Sequence, residues 1–231
     1  MKAEQELYEE IWSKKIRRNE KENVMNCRAF FATKYLPDGE KFLDIGCGGG
    51  EIAILTKHKY KEIYGVDISD KALEEAKKKG MIVKKINLNY ESLPYPENFF
   101  DAVVCLDVIE HILDPFHLIK EIRKVLKPGG TLILTTPNFR KIKNILTLIL
   151  KGRFPKTSGD STGWDGGHLH YFTYKDIEYI LTKYNFKILY RDGLLSREKF
   201  FLLKKCLKYF LSRYLFNEFI AGGIIVKAKK T

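Results

Sequence analysis

The sequence has few cysteines, no long apolar run and no internal repeats, and each absence excludes a class of protein. Its four cysteines, at positions 27, 47, 105 and 206, include no CxxC pair, which argues against a disulfide framework and against a zinc site. No apolar run approaches the roughly 18–20 residues that cross a bilayer. The polar, charged start of the chain lacks the pattern of a signal peptide. These absences predict a soluble, cytoplasmic protein.

Acidic residues are missing from one stretch, and this concentrates the positive charge. The chain has 231 residues and a net charge of +12. Residues 139–156 contain six basic residues and no acid, and residues 197–216 contain six basic residues against a single glutamate. Together the two segments hold nearly all of the excess charge, and they favour peripheral contact with an anionic membrane surface. Nucleic acid is disfavoured as a partner, because no recognised nucleic-acid-binding module accompanies the charge.

Short apolar runs alternate with amphipathic stretches over most of the chain. Strands that alternate with helices at this spacing are typical of a parallel sheet covered on both faces. The pattern predicts an α/β, doubly wound (Rossmann-like), mainly parallel seven-stranded sheet with helices on both faces, N-terminal helices and a helical lid insertion. The predicted strands are 41–46, 62–68, 81–87, 99–106, 131–137, 186–192 and 219–229. The predicted helices are 4–36, 50–58, 70–79, one from about residue 108, 115–127 and 174–183.

The length of the chain suits one domain with a sizeable core. We predict a single domain over residues 1–231, with a helical cap at 1–38, a ligand-binding core at 41–138, a lid insertion at 139–172 and a basic amphipathic helix at 195–216. The last helix has an apolar face and a basic face. It either lies on the domain with its basic face in solvent or binds a membrane surface or a partner.

A cluster of glycines occupies the first junction between a strand and a helix. The stretch "KFLDIGCGGGEIAI", residues 41–54, has glycine at positions 46, 48, 49 and 50. Glycine costs backbone entropy, so such a cluster indicates positive φ angles or the close approach of another group. The GxGxG pattern is followed by Glu51 where a dinucleotide motif has its third glycine. This carboxylate disfavours a pyrophosphate and tolerates a ligand that carries cationic groups.

Asp67 ends the second predicted strand, 19 residues after Gly48. In nucleoside-binding sheets a carboxylate at this position accepts hydrogen bonds from the ribose hydroxyls. The alternative is that Asp67 caps the helix at 70–79, but Ser69 is better placed for that role. The position therefore favours ribose binding.

Four motifs in order resemble those of class I S-adenosylmethionine (SAM)-dependent methyltransferases: "FLDIGCGGGEIA", "YGVDIS", "FFDAVVCLDVIEHI" and "LKPGGTLILTTPN". The resemblance covers about residues 41–138, and "GHLHYFTYKDIEYIL" is similar to these enzymes as well. Within the superfamily the chain resembles the quinone O-methyltransferase-like branch, which implies SAM as cofactor and methyl transfer to a small or amphipathic, lipid-like acceptor, with oxygen favoured. The stretch "PNFRKIKNILTLILKGRFP" is similar to the MetW proteins of methionine biosynthesis. A SAM-binding accessory protein that assists a partner enzyme therefore remains the alternative.

The resemblance also implies roles for individual residues. Asp44 and the backbone of the glycine loop would hold the methionine portion of SAM, Asp67 would bind the ribose, and Ile68 would pack against the adenine face. Asn87 stands where these enzymes usually have aspartate and would accept a hydrogen bond from the adenine amino group. The Leu88 amide would contact an adenine ring nitrogen, and the Leu106 carbonyl the SAM ammonium group. The implied cofactor-binding residues are Asp44, Gly46, Gly48, Gly50, Asp67, Ile68, Asn87, Leu88 and Leu106.

Asp107, Glu110 and His111 have the i, i+3, i+4 spacing of one helical face. Similar residues in some quinone methyltransferases that resemble this chain are associated with a divalent metal. The alternative is that Asp107 is a helix N-cap and Glu110 its capping-box partner. We favour the capping box, since a lone histidine makes a poor transition-metal site, and predict no metal.

The stretch "GWDGGHLHYF", residues 163–172, follows an irregular run at 152–162 and is predicted to be a lid over the cofactor. Its glycines would act as hinges, and Trp164 and Tyr171 would form apolar walls on the acceptor side, where Asn138 would face the same cavity. His168 and His170 alternate, so in an extended segment both point to one side, and either could remove a proton from an acceptor hydroxyl. His170 is preferred because aromatic residues follow it. The alternative is that both histidines only tie the lid to the domain.

Overall fold

A computed structural model describes residues 2–18, 28–159, 164–194 and 213–231, without the side chains of residues 2, 3 and 14–18. The helices are α1 (Lys2–Arg18), α2 (Arg28–Thr33), α3 (Glu51–Thr56), α4 (Asp70–Lys78), α5 (Pro115–Val125), α6 (Ile142–Lys151) and α7 (Tyr174–Lys183). The strands are β1 (Lys41–Ile45), β2 (Glu62–Asp67), β3 (Ile82–Lys85), β4 (Phe100–Leu106), β5 (Leu126–Pro137), β6 (Phe186–Leu194) and β7 (Gly223–Lys230). Short helical turns occupy Ile109–His111, Asp165–Gly167, Arg213–Leu215 and Phe216–Ile220.

The strands form one seven-stranded sheet in the order β3-β2-β1-β4-β5-β7-β6. The first five strands in this order pair in parallel, and β7 pairs antiparallel with both β5 and β6. The predicted mainly parallel sheet is therefore confirmed.

Strand β1 lies where the strand order reverses, which positions a ligand crevice. Ile45 at the end of β1 pairs with Val66 of β2 and with Cys105 of β4. The loops that follow these three strands consequently meet at one edge of the sheet. In open α/β sheets this is where ligands bind.

Helices cover both faces of the sheet, as predicted. Buried residues of α5 and α7 belong to one apolar cluster, which includes Ile119 and Ile177. Buried residues of α2, α3 and α4 belong to a second cluster, which includes Ile52 and Leu73. The loops at the crevice are thus held between two packed layers.

Three local predictions differ from the structure. The turn at residues 127–130 is a bulge inside β5, because the pairing with β4 passes from Leu126 directly to Thr131 and Gly129 adopts a φ of +74°. The helix expected from residue 108 is a single 3₁₀ turn at Ile109–His111. The helical region at 4–36 is two helices, with residues 19–27 outside the description.

The predicted basic amphipathic helix at 195–216 falls almost entirely outside the described residues. Of that segment, the structure describes residues 213–216.

Candidate active site

The glycine loop between β1 and α3 is closely packed against neighbouring residues, so that side chains on its glycines would clash with them. Gly46, Gly48 and Gly50 all have positive φ angles, of +67°, +52° and +76°. A Cβ on Gly46 would lie 2.3 Å from Val108 Cγ2, and one on Gly48 would lie 2.2 Å from Trp12 Cζ2. Both the backbone conformation and the crowding therefore require glycine here.

Asp67 ties the end of β2 to the glycine loop. Its Oδ2 accepts a hydrogen bond from the Gly48 N–H at 2.9 Å, and its Oδ1 accepts one from the Ser69 N–H at 2.9 Å. The cap of α4 is Ser69, whose Oγ accepts from the Ala72 N–H at 3.2 Å. The capping alternative for Asp67 is therefore wrong, and Asp67 lines the ligand crevice.

A cavity of about 540 Å³ opens at this edge of the sheet, a volume typical of small-molecule sites. Six of the residues expected to bind cofactor line it: Gly46, Asp67, Ile68, Asn87, Leu88 and Leu106. Asp44, Gly48 and Gly50 are not among the lining residues. For Gly50 the structure supplies a packing reason, because a Cβ there would lie 2.9 Å from Ala76 Cα.

The charge around the cavity fits a cationic ligand. Asp44 is buried, and burial raises the pKa of its carboxyl well above the usual value, with further increases from the Glu51 and Asp67 carboxylates. Glu4, Asp67 and Asp107 line the cavity itself; Arg28 lines it as well and pairs with Asp107, so acids still outnumber bases there. A pyrophosphate would be repelled by this set of acids, whereas the ammonium and sulfonium groups of SAM would be attracted. The donor set therefore fits SAM.

Cation binding beside Asp44 has a consequence that calorimetry can measure. Because the pKa of the free carboxyl is raised, a bound ammonium group stabilises the ionised form and lowers that pKa. We expect SAM binding to release protons at pH values below the raised pKa of the free carboxyl and to strengthen as pH rises toward that pKa. Titrations in two buffers with different ionisation enthalpies would measure the release.

In Asp44→Asn the proton release should be lost. An undiminished release in that variant would contradict the role given to Asp44.

Glu110 lies beside His168, which lines the cavity, and half of the Glu110 carboxylate has no hydrogen-bond partner among the described residues. The side chain is buried, and its Oε2 accepts a hydrogen bond from Thr136 Oγ1 at 3.0 Å. Its Oε1 is buried without a hydrogen-bond partner among the described residues and faces His168 Nε2 at 4.0 Å. Burial raises the pKa of Glu110 to about 7. A buried, unsatisfied carboxylate is costly and points to a functional site.

His168 is held against Glu110 by the loop that precedes it. Its Nδ1 lies 2.7 Å from Thr157 Oγ1 and 3.5 Å from Asp165 Oδ2. Burial is the main cause that lowers the pKa of His168, so the neutral imidazole, the form that accepts a proton, is favoured. The Thr157 and Ser158 N–H groups donate to Asp165, which fixes the loop.

Thr157 and Asp165 were missed by the sequence analysis. Their only sequence signal is an aspartate within a glycine-rich turn, which is typical of loops in general.

The expected capping box at Asp107 is wrong. Asp107 adopts a φ of +54°, and its carboxylate accepts from Thr135 Oγ1 at 2.9 Å and pairs with Arg28. Glu110 turns inward to Thr136 instead. Glu110, His111 and His168 place one donor atom each within 4.8 Å of the others. Two imidazoles and a carboxylate are a donor set that divalent transition metals accept, so the argument that set a metal aside does not hold.

Only part of the predicted lid, residues 163–172, lines the cavity. Ser158, Gly159, Gly166 and His168 line the cavity, as expected of a lid, but His170 does not, and position 163 lies outside the description.

Asn138 was expected to face the cavity, but this is wrong. Its Nδ2 donates to the Asn217, Glu218 and Ala221 carbonyls and its Oδ1 accepts from the Arg140 N–H. This amide joins β5 to the turn before β7, and no polar group of it is left for a ligand.

Trp164 and Tyr171 do not form the expected walls. Trp164 is 66% exposed, and the Lys156 ammonium lies over its ring. Tyr171 packs instead against the rings of Phe139 and Phe154.

The sheet order, the glycine loop and the acidic crevice define a protein of the class I methyltransferase fold. Residues 43–134 match the family model described as "Methyltransferase domain". Through this segment, which is less than half of the chain, the protein is similar to SAM-dependent methyltransferases, and SAM is the cofactor that this similarity indicates.

Curated relatives match half of the chain. The Ubiquinone biosynthesis O-methyltransferase of Acinetobacter baylyi is 30% identical over 122 residues, which are 50% of this chain and 51% of that protein. The protein of the same name from Coxiella burnetii is 34% identical over 122 residues, with the same coverage. The chain thus spans about half the length of the curated relatives it matches.

Solved structures share the fold over most of the chain. A SAM-dependent methyltransferase from Archaeoglobus fulgidus has a TM-score of 0.65 at 19% identity, covering 90% of this chain and 93% of that one. A second, from Mesorhizobium loti, has a TM-score of 0.64 at 17% identity, covering 90% and 100%. At these identities the likeness shows the fold alone.

Proposed function

We propose that this protein transfers a methyl group from SAM to an oxygen atom of a small, lipid-like acceptor of the quinone type. The observation that carries the proposal is the buried pair of Glu110 and His168, of which His168 lines the cofactor cavity. The names of the curated relatives support the choice of oxygen and of a quinone-type acceptor.

The cofactor side would use residues at the ends of the parallel strands. Asp67 would accept from the ribose hydroxyls, Asp44 would attract the ammonium group, and Ile68 and Leu88 would contact the adenine. When bound, SAM supplies a methyl group on a positively charged sulfur. The contribution of the protein is to hold the acceptor oxygen in line with that group.

The acceptor side would use His168 as the base. Its pKa is lowered by burial, so the imidazole is neutral and can take the proton of an acceptor hydroxyl. The resulting imidazolium would be stabilised by the Glu110 carboxylate on one side and by Asp165 on the other. A base positioned in this way contributes about 10²–10⁴-fold to a rate.

Glu110, His111 and His168 would alternatively hold a divalent cation. The cation would lower the pKa of the acceptor hydroxyl and orient it. Activity that falls on chelation and returns with one metal would favour this arrangement, whereas indifference to chelators would favour His168 as a free base.

The accessory-protein alternative is separated from catalysis by one experiment. The isolated protein would be incubated with methyl-labelled SAM and a lipid extract that contains quinols. Label in an extracted lipid would support the proposal. Label that appears only when a second protein is added would favour the MetW-like alternative.

Helix α6 provides a surface suited to contact with the membrane in which a lipid-like acceptor would lie. None of its residues is buried, and Ile142, Leu146, Ile149 and Leu150 are 41–75% exposed. The flanking positions of 139–156 are basic. Exposed apolar surface beside positive charge suits an anionic membrane surface. Within the described residues no helix is both long and apolar enough to cross a membrane.

Leu150→Asp is expected to weaken binding to anionic vesicles about tenfold or more. Burying a leucine side chain is worth about 1.5–3 kcal/mol, and tenfold corresponds to about 1.4 kcal/mol. Sedimentation with phosphatidylserine-containing vesicles would measure the effect, and binding by the unmodified chain should fall as salt rises.

Ile54→Asp is the matched control, since Ile54 is also an exposed apolar residue on a helix and the charge change is the same. Equal losses in the two variants, or no binding by the unmodified chain at low salt, would contradict the membrane assignment.

A further inference from the structure

Helix α1 covers the cofactor cavity, although none of the four sequence motifs includes it. Glu4, Tyr8, Ile11 and Trp12, which recur at helical spacing, all line the cavity. The helix is anchored on α4: the Asp70 N–H donates to Glu9 Oε1 at 2.6 Å, and Lys71 Nζ donates to Ser13 Oγ at 2.7 Å.

The Glu4 carboxylate accepts hydrogen bonds from two asparagine amides at the edge of the cavity. Its Oε2 accepts from Asn87 Nδ2 at 2.9 Å, and its Oε1 accepts from Asn89 Nδ2 at 2.5 Å. The other ends of these amides are also engaged. Asn87 Oδ1 accepts from the Asn89 N–H at 3.0 Å, and Asn89 Oδ1 accepts from the Leu113 N–H at 2.7 Å.

These contacts fix which way the two amides point. Each oxygen faces a backbone N–H, so each Nδ2 must face Glu4. Asn87 thus presents a donor to Glu4, and its oxygen is already occupied by the Asn89 N–H. Asn87 Oδ1 therefore has one lone pair left, whereas Glu4 has two and a negative charge, so Glu4 is the stronger acceptor for a cofactor amino group.

The neutral asparagine at position 87 is compatible with the carboxylate of Glu4, which it contacts. An aspartate at position 87 would place one carboxylate against another, and like charges at that distance repel. An asparagine removes the repulsion and adds a donor. The negative charge expected after β3 is thereby supplied by α1 instead.

We propose that Glu4 binds the cofactor, its carboxylate accepting a hydrogen bond from the exocyclic amino group of the adenine. A carboxylate has about four lone-pair sites, and the asparagines use two. Trp12 lies against Gly48 and also lines the cavity, so α1 contacts the cavity both at the residues that follow β3 and at the glycine loop. The assignment rests on the proposed use of SAM.

The test is the preference for S-adenosylhomocysteine over S-inosylhomocysteine, in which the exocyclic amine is replaced by a carbonyl oxygen. Calorimetry on the unmodified chain should give a preference of about tenfold or more, because a carboxylate accepts from the amine and is repelled by the carbonyl oxygen. In Glu4→Gln the preference should fall about tenfold. Glu6→Gln makes the same chemical change at an exposed position of the same helix and should leave the preference unchanged.

A second pair of variants tests the match between positions 4 and 87. Asn87→Asp alone should weaken binding of both ligands, because α1 is repelled. Asn87→Asp combined with Glu4→Gln returns the carboxylate to the end of β3 and should restore the preference for S-adenosylhomocysteine.

The outcomes separate this inference from the proposed function. Equal weakening of both ligands in Glu4→Gln would mean that Glu4 only holds α1 in place, and would overturn the assignment alone. Failure of the unmodified chain to bind S-adenosylhomocysteine would overturn the proposed function and this assignment together.

Discussion

His168→Ala is expected to lower turnover by about 10²–10⁴-fold, the contribution typical of a positioned general base. The imidazole lies between Glu110 and the Thr157–Asp165 loop and lines the cofactor cavity. The rate would be measured with methyl-labelled SAM and the acceptor identified from the lipid extract. SAM affinity, measured by calorimetry, should change by only a few fold.

His170→Ala is the matched control for this prediction. His170 is half-buried two positions later, does not line the cavity and packs near Phe172. Its removal should change turnover by less than about threefold. The reverse result, with His170→Ala inactive and His168→Ala active, would return the catalytic role to His170, as the sequence first favoured.

Asp67→Ala is expected to weaken SAM binding by about 100-fold or more. A hydrogen bond to a charged group is worth about 1.5–3 kcal/mol, and two ribose hydroxyls would lose such a partner. The variant also leaves the Gly48 and Ser69 N–H groups without their acceptor, which loosens the glycine loop. Calorimetric titration with SAM would measure the loss.

The SAM affinity of Asp67→Asn should lie between those of Asp67→Ala and the unmodified chain, because the asparagine amide keeps one acceptor oxygen. Asp70→Asn is the control, since Asp70 is an exposed carboxylate three residues later that pairs with Lys85. Unchanged SAM affinity in Asp67→Ala would remove the ribose assignment.

The sheet and the cofactor half of the site could be predicted because their signals are local. Each buried parallel strand is a short apolar run, and the glycine loop and Asp67 follow strands directly. The ends of neighbouring parallel strands meet at one edge, so residues distant in sequence were brought together by topology alone. Six of nine expected cofactor residues line the cavity for this reason.

The acceptor half could not be predicted because its contacts are not local. Glu110 and its partner Thr136 are 26 positions apart, and no spacing rule links them. The helical i, i+3 pattern at Asp107 failed because the positive φ of Asp107 breaks the helix before it starts. Asn138 and Trp164 were placed by residue type, but backbone carbonyls satisfy the first and solvent surrounds the second.

The lack of buried residues in α6 also bears on its folding. A ten-residue helix is below the roughly 12–15 residues at which isolated helices become stable in water, and helices in proteins owe most of their stability to packing. Helix α6 has no buried side chain to supply that packing. Its conformational equilibrium is therefore coupled to whatever covers it, and part of the free energy of any such contact is used to order the helix.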